Sequence, residues 1–90
     1  MNDQEVIDRV NSVFEESFEI EREKLKPEMR IFEDLGLDSL DIVDLIVALQ
    51  KQFKIRIRDD ERVRQIRTLG DVQHFVLTLK AEGLVPDIGK

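Results

Sequence analysis

The chain has 90 residues, a length that allows one domain with a modest core. Its net charge of −6 at pH 7 argues against a nucleic-acid partner, and the lack of cysteine excludes disulfides and thiolate metal sites. The N-terminus is polar and acidic, unlike a signal peptide, and no apolar run is long enough to cross a bilayer, so we expect a cytoplasmic protein without a membrane span.

The first predicted element is an amphipathic helix from about Asp3 to Phe18. Its apolar residues recur at the spacing of one helix face: Val6, Ile7, Val10, Val13, Phe14 and Phe18. Such a stripe is typical of a face that packs against a core, and we assign no chemistry to it.

A long connection follows, from Ile20 to Leu37. Loops of this length usually carry some structure or function of their own. Pro27 blocks a regular helix, because the residue before a proline avoids helical angles. The apolar side chains expected to hold the connection against the core are Leu25, Met29, Ile31, Phe32 and Leu35.

The connection ends in a segment that predicts the start of a helix. Gly36 can adopt backbone angles that other residues avoid. Asp38 is a good N-cap, and Asp41, three residues later, completes an acidic variant of the capping box. Ser39 is then the first helical residue, and its hydroxyl is expected to face solvent.

The exposed position of Ser39 raises the question of its use. A catalytic nucleophile needs a base within hydrogen-bond reach, and the only histidine, His74, lies far along the chain. Leu37 and Asp41 stand where a nucleophile elbow has glycines. Spacing alone therefore favours an ordinary serine at a helix N-terminus.

The second predicted helix runs from Ser39 to Phe53 and is apolar on more than one face. Val43 and Val47 share a face with Ser39 and Leu40. Two interpretations stay open for this strip: a docking surface beside the serine, or part of the core.

The remaining chain predicts an extended segment and one more main helix. Ile55 and Ile57 alternate with basic residues and are expected to point inward. Thr68 and Asp71 form a second capping pair, and Gly83 is the expected C′ residue of the last helix. The apolar residues of that helix are Leu69, Val72, Phe75, Val76 and Leu79. We expect one domain at residues 1–83 and a flexible tail at 84–90.

Residues 33–41 resemble the phosphopantetheine attachment segment of acyl carrier proteins, which reads E-D-L-G-x-D-S-L ahead of an apolar helix. The resemblance extends from about Val6 to about Leu79. It implies an all-α fold, a small up-and-down bundle of three main helices plus one short helix that runs through Glu61, Val63 and Ile66. Asp59 or Asp60 can cap this short helix, whereas Arg58 stands where many members have proline.

The resemblance also implies a function. A separate phosphopantetheinyl transferase would attach 4′-phosphopantetheine from coenzyme A to Ser39, so the chain would be a substrate and not an enzyme. It would carry acyl groups as thioesters in fatty acid or related lipid biosynthesis, as a monomer that meets acyl-transfer and chain-elongation enzymes. Carriers of polyketide or aminoacyl intermediates use the same fold and serine, and an unmodified interaction module is a further alternative.

Two residue sets are expected to serve that function. The docking set consists of Asp38, Leu40, Asp41, Val43, Asp44 and Val47. The acyl pocket is expected to include Phe32, Leu49, Ile57, Leu69 and Phe75. Typical fatty-acid carriers are acidic between the second and last helices, whereas residues 51–67 of this chain hold seven basic and three acidic side chains. This basic segment is either a solvated face or the contact of a specialised carrier with a dedicated acidic partner.

Overall fold

A computed structural model describes residues 2–57 and 61–86. In that part of the chain the elements are α1 (Asp3–Phe18), α2 (Ser39–Phe53) and α3 (Leu69–Ala81), with short 3-10 helices at Arg22–Lys24 and Glu61–Gln65. The predicted all-α bundle is confirmed, and α1 packs against both α2 and α3. None of the helices in the described ranges combines the length and apolarity needed to cross a membrane.

The core is built from the apolar stripes that the sequence predicts. Fully buried side chains come from each main helix: Val6, Val10 and Phe14 from α1, Leu45, Leu49 and Phe53 from α2, and Leu69, Val72 and Val76 from α3. Each such side chain stabilises the fold by about 1.5–3 kcal/mol relative to an exposed position. The helices are therefore held mainly by their shared apolar faces.

Helix α3 ends in a C-terminal capping motif. Gly83 has a φ of 77°, and its N–H donates to the carbonyl of Lys80 at 3.0 Å. The N–H of Leu84 donates to the carbonyl of Leu79 at 3.0 Å, which completes a Schellman motif. Val85 still packs partly against the core. Residues 87–90 of the predicted tail lie outside the described residues, and the flexible tail stays a prediction.

The second short helix lies where the family resemblance predicts one. It spans Glu61–Gln65, and Ile66, just beyond it, is buried. The predicted caps Asp59 and Asp60, and the turn at Arg58, lie outside the described residues. Before the helix, Ile55 is buried, and the N–H of Ile57 donates to the side-chain oxygen of Gln50 at 2.9 Å.

Backbone hydrogen bonds tie the α1–α2 connection to the start of α3. The N–H of Ile31 donates to the carbonyl of Arg67 at 2.9 Å, and that of Leu69 donates to the carbonyl of Met29 at 2.9 Å. The N–H of Gly70 donates to the carbonyl of Pro27 at 2.8 Å. The loop that leads to α2 is therefore fixed beside the second short helix.

One predicted core residue is not in the core. Phe32 is 42% exposed, whereas its neighbour Ile31 is fully buried. The hydrogen bond from Ile31 to Arg67 holds the backbone with the Ile31 side chain inward. The chain then turns through residues 31–34, and Phe32 is directed to the surface. The prediction that Phe32 anchors the connection in the core is wrong.

Candidate functional site

The start of α2 is a complete capping box, as the sequence predicts. The Asp38 carboxylate accepts the N–H groups of Leu40 and Asp41 at 2.9 and 3.0 Å. The Asp41 carboxylate accepts the N–H of Asp38 at 2.9 Å. Both side chains thus stabilise the first turn of α2, with Ser39 at its first helical position and exposed.

A tight turn positions the segment ahead of this cap. The N–H groups of Asp34 and Leu35 both donate to the carbonyl of Arg30, at 2.8 and 3.1 Å. The Asp34 carboxylate accepts the backbone N–H of Arg30 at 2.8 Å, and this hydrogen bond lowers the pKa of Asp34. The N–H of Leu37 donates a hydrogen bond to the carbonyl of Ile31 at 3.2 Å. Gly36 adopts the expected left-handed backbone conformation, with a φ of 71°. These contacts fix the direction from which the chain enters α2.

A groove of about 210 Å³ lies beside Ser39. We call it the Ser39 groove; it is lined by Phe32, Ser39, Ile42, Val63, Arg64, Ile66 and Arg67. It combines apolar side chains with two guanidinium groups. Sequence reasoning did not assign Val63, Arg64, Ile66 or Arg67 to the site, because they reach Ser39 only through the backbone contacts between the α1–α2 connection and α3.

An apolar strip is exposed along α2. Leu40, Val43 and Val47 are 75%, 61% and 43% exposed, and Asp44 on the same helix is exposed as well. Of the two interpretations left open by the sequence, the structure favours the exposed strip over the core. A contiguous exposed apolar surface of this kind is typical of a protein interaction site.

Comparisons with known proteins place the chain in a family. Residues 8–76 match the family model described as "Phosphopantetheine attachment site". The chain is 41% identical over 81 residues to "Acyl carrier protein 2" of Ralstonia nicotianae, an alignment that covers 90% of this chain and 99% of the relative. It is 40% identical over 75 residues to the "Acyl carrier protein" of Wolinella succinogenes, covering 83% of this chain and 97% of the relative.

The chain belongs to the acyl carrier protein family. As a carrier protein of this family it has 4′-phosphopantetheine as its covalent cofactor. That arm begins with an anionic phosphodiester, continues through a dimethyl-substituted carbon and two amides, and ends in a thiol. The Ser39 groove fits such a group, because Arg64 and Arg67 match the anion and Phe32, Ile42 and Val63 match the apolar part.

The structure distributes the predicted acyl-pocket residues over different surroundings. Leu49 and Leu69 are fully buried in the core. Phe75 lines a second groove of about 270 Å³, and Ile57 is half-buried. Of the five predicted residues, Phe32 is the one that lines the Ser39 groove. Their joint role as an acyl pocket stays a prediction.

The basic segment divides into residues with different contacts. Arg62 donates two hydrogen bonds to the Glu82 carboxylate, at 2.9 and 3.2 Å, and its guanidinium lies 5.6 Å from the ring centre of Phe75. Arg62 therefore stabilises the packing of the second short helix on α3. Arg64 and Arg67 instead line the Ser39 groove.

His74 is exposed on α3 and lines the second groove with Arg62 and Phe75. The lining of the Ser39 groove contains no imidazole among the described residues. His74 therefore lines a groove other than the one that contains Ser39.

Proposed function

We propose that Ser39 holds the 4′-phosphopantetheine arm, and that the protein carries acyl groups as thioesters on it for fatty acid or related lipid biosynthesis. The observation that carries this proposal is the exposed position of Ser39 at the first residue of α2, inside the matched family region. The thiol of the arm supplies the group that bonds the cargo.

The chain's own residues present the serine and do not activate it. Asp38 and Asp41 are engaged with backbone N–H groups of the first turn. His74 lines a different groove. A separate phosphopantetheinyl transferase must therefore deprotonate the Ser39 hydroxyl, which attacks the β-phosphate of coenzyme A and releases adenosine 3′,5′-bisphosphate. In this proposal the protein is a substrate of enzymes and not an enzyme itself.

Partner enzymes are proposed to dock on the face of α2. Its exposed apolar residues, Leu40, Val43 and Val47, offer contact area. The carboxylates of Asp38, Asp41 and Asp44 supply negative charge around Ser39. Besides the transferase, the proposed partners are acyl-transfer and chain-elongation enzymes, which a cytoplasmic monomer would meet in turn.

Intact-mass measurement tests the attachment residue. The protein is incubated with coenzyme A and a phosphopantetheinyl transferase of broad specificity. We expect the wild type to gain the mass of one phosphopantetheine and Ser39→Ala to gain none. Ser17→Ala, which removes an exposed serine of α1, is the matched control and should be modified like the wild type. Addition to Ser39→Ala would show that another residue holds the arm, and no addition to any variant would favour an unmodified interaction module.

A further inference from the structure

Two arginines share a groove with the proposed attachment residue. Arg64 and Arg67 are exposed, and both line the Ser39 groove together with Ser39. The rest of that lining is apolar: Phe32, Ile42, Val63 and Ile66. The described lining thus holds two positive charges and no carboxylate.

The backbone at Arg67 is fixed relative to the loop that leads to Ser39. Its carbonyl accepts the N–H of Ile31 at 2.9 Å, and the N–H of Leu37 donates to the carbonyl of Ile31. The Arg67 side chain is also restrained, because its Nη1 donates to the carbonyls of Arg64 and Ile66 at 2.7 and 2.9 Å. The other donors of this guanidinium lie on Nε and Nη2.

The negative charge around Ser39 would repel a phosphate group there, so a nearby cation would be stabilising. A phosphodiester on Ser39 adds an anion to a helix start that already carries Asp38 and Asp41. Residues 1–50 as a whole hold fourteen acidic and five basic side chains. The positive end of the α2 dipole already faces the two carboxylates of the capping box. Guanidinium groups bind phosphate oxygens with charge-assisted hydrogen bonds, often two at a time.

We propose that Arg64 and Arg67 bind the phosphodiester of the arm and hold the first part of the arm in the Ser39 groove. This inference rests on the proposed attachment at Ser39. The two arginines offset the repulsion from the capping carboxylates. The apolar lining formed by Phe32, Ile42 and Val63 then covers the dimethyl-substituted carbon next to the phosphate.

The test compares the apo and holo forms of three proteins: the wild type, Arg64→Gln/Arg67→Gln, and Lys51→Gln/Arg56→Gln. The third is the matched control, because it removes the same charge from exposed residues outside the groove lining. Intact mass first establishes that each holo sample carries one arm and that each apo sample carries none. The melting temperature of each form is then measured at low and high salt.

A second readout follows the position of the arm. A nitroxide label is placed on the thiol of the holo protein, and the broadening of the backbone amide signals of Val63 and Ile66 is measured by NMR. We expect the holo-minus-apo difference in melting temperature, and the broadening, to fall to about half or less in the groove variant. Both should be retained in the control. The wild-type difference should also shrink at high salt.

The outcomes separate the two proposals. Equal differences and equal broadening in the groove variant and the control would overturn the role of the arginines while leaving attachment at Ser39 intact. A wild type that gains no mass, or a Ser39→Ala variant that gains it, would overturn the attachment itself. Arg64→Gln alone, which leaves the Arg67 hydrogen bonds in place, provides the same comparison if the double variant does not fold.

Discussion

At the scale of single residues, Asp71 shows how opposing effects act on one carboxyl group. Partial burial raises the pKa of Asp71, while hydrogen bonds from the backbone N–H groups of Arg67 and Thr68, at 2.9 and 3.0 Å, lower it. The hydrogen bonds prevail, so that the pKa lies below its ordinary value of 3.8. The ionised carboxylate therefore stabilises the fold above the unfolded pKa, and this contribution is lost as the pH falls through the folded value.

The lowered pKa of Asp71 predicts how the stability of Asp71→Asn depends on pH. The free energy of unfolding of the wild type should fall as the pH is lowered from about 5 to about 2, and the fall should be shallower in the variant. Urea denaturation at a series of pH values measures it. Asp44→Asn, which removes a carboxylate outside the capping contacts, is the control and should change the slope less. Identical slopes for wild type and Asp71→Asn would contradict the assignment.

Residue-scale contacts were predictable where they are local. The capping pairs Asp38–Asp41 and Thr68–Asp71 follow from a three-residue spacing, and both boxes are present. Phe32 was not predictable in this way. Its exposure depends on the hydrogen bond between Ile31 and Arg67, residues far apart in sequence, and apolarity alone indicates the core.

At the scale of elements, the backbones of the α1–α2 connection and α3 approach each other closely at Gly70. A Cβ atom built there would lie 3.0 Å from the carbonyl oxygen of Pro27 and 3.2 Å from its Cβ. The N–H of Gly70 donates to that same oxygen at 2.8 Å. The absence of a side chain lets the two backbones come this close.

Gly70→Ala should therefore destabilise the protein although alanine is the better helix former. Helix propensity favours alanine by about 1 kcal/mol, whereas overpacking against a fixed backbone costs about 1–3 kcal/mol. Thermal and urea denaturation should show a net loss of stability. The Pro27→Gly substitution removes the contact with the Cβ of Pro27. In that background Gly70→Ala should cost less stability. A Gly70→Ala variant as stable as the wild type would contradict this, because it would show that the loop at Pro27 shifts to accommodate the methyl group without a loss of stability.

The helices themselves were predictable because their signals are periodic. The bounds of α1 and α2 agree with the predicted Asp3–Phe18 and Ser39–Phe53. The isolated bridge between Arg30 and Thr68 carries no such signal. That bridge brings the second short helix beside Ser39. The sequence therefore predicts the position of Ser39, but it does not predict that Arg64 and Arg67 lie in the same groove.

At the scale of the whole molecule, charge is distributed unevenly along the chain. Residues 1–50 carry a balance of −9 (five basic against fourteen acidic side chains), and residues 51–90 carry +3 (nine against six), which together give −6. The acidic half includes the proposed docking face of α2, and the basic half contributes Arg64 and Arg67 to the Ser39 groove. An approaching partner therefore meets acidic charge along α2 and basic charge across the groove.

This distribution predicts how docking depends on charge. Asp41 is unsuited to the test, because its carboxylate accepts the N–H of Asp38 and reversal would also weaken the helix cap. Asp44 is exposed on α2 and lies outside that cap. Asp44→Lys should slow association with a phosphopantetheinyl transferase roughly threefold to tenfold at low salt, since exposed charges act mainly on association rates. Stopped-flow binding measures the rate.

The control for Asp44→Lys is Glu23→Lys, which makes the same change in net charge at an exposed residue of the first short helix. If overall charge alone governed association, the two variants would slow it equally. If docking occurs on α2, Asp44→Lys should have the larger effect, and the difference should shrink as salt screens the interaction. An unchanged association rate for Asp44→Lys at low salt would place the transferase contact on another face of the carrier.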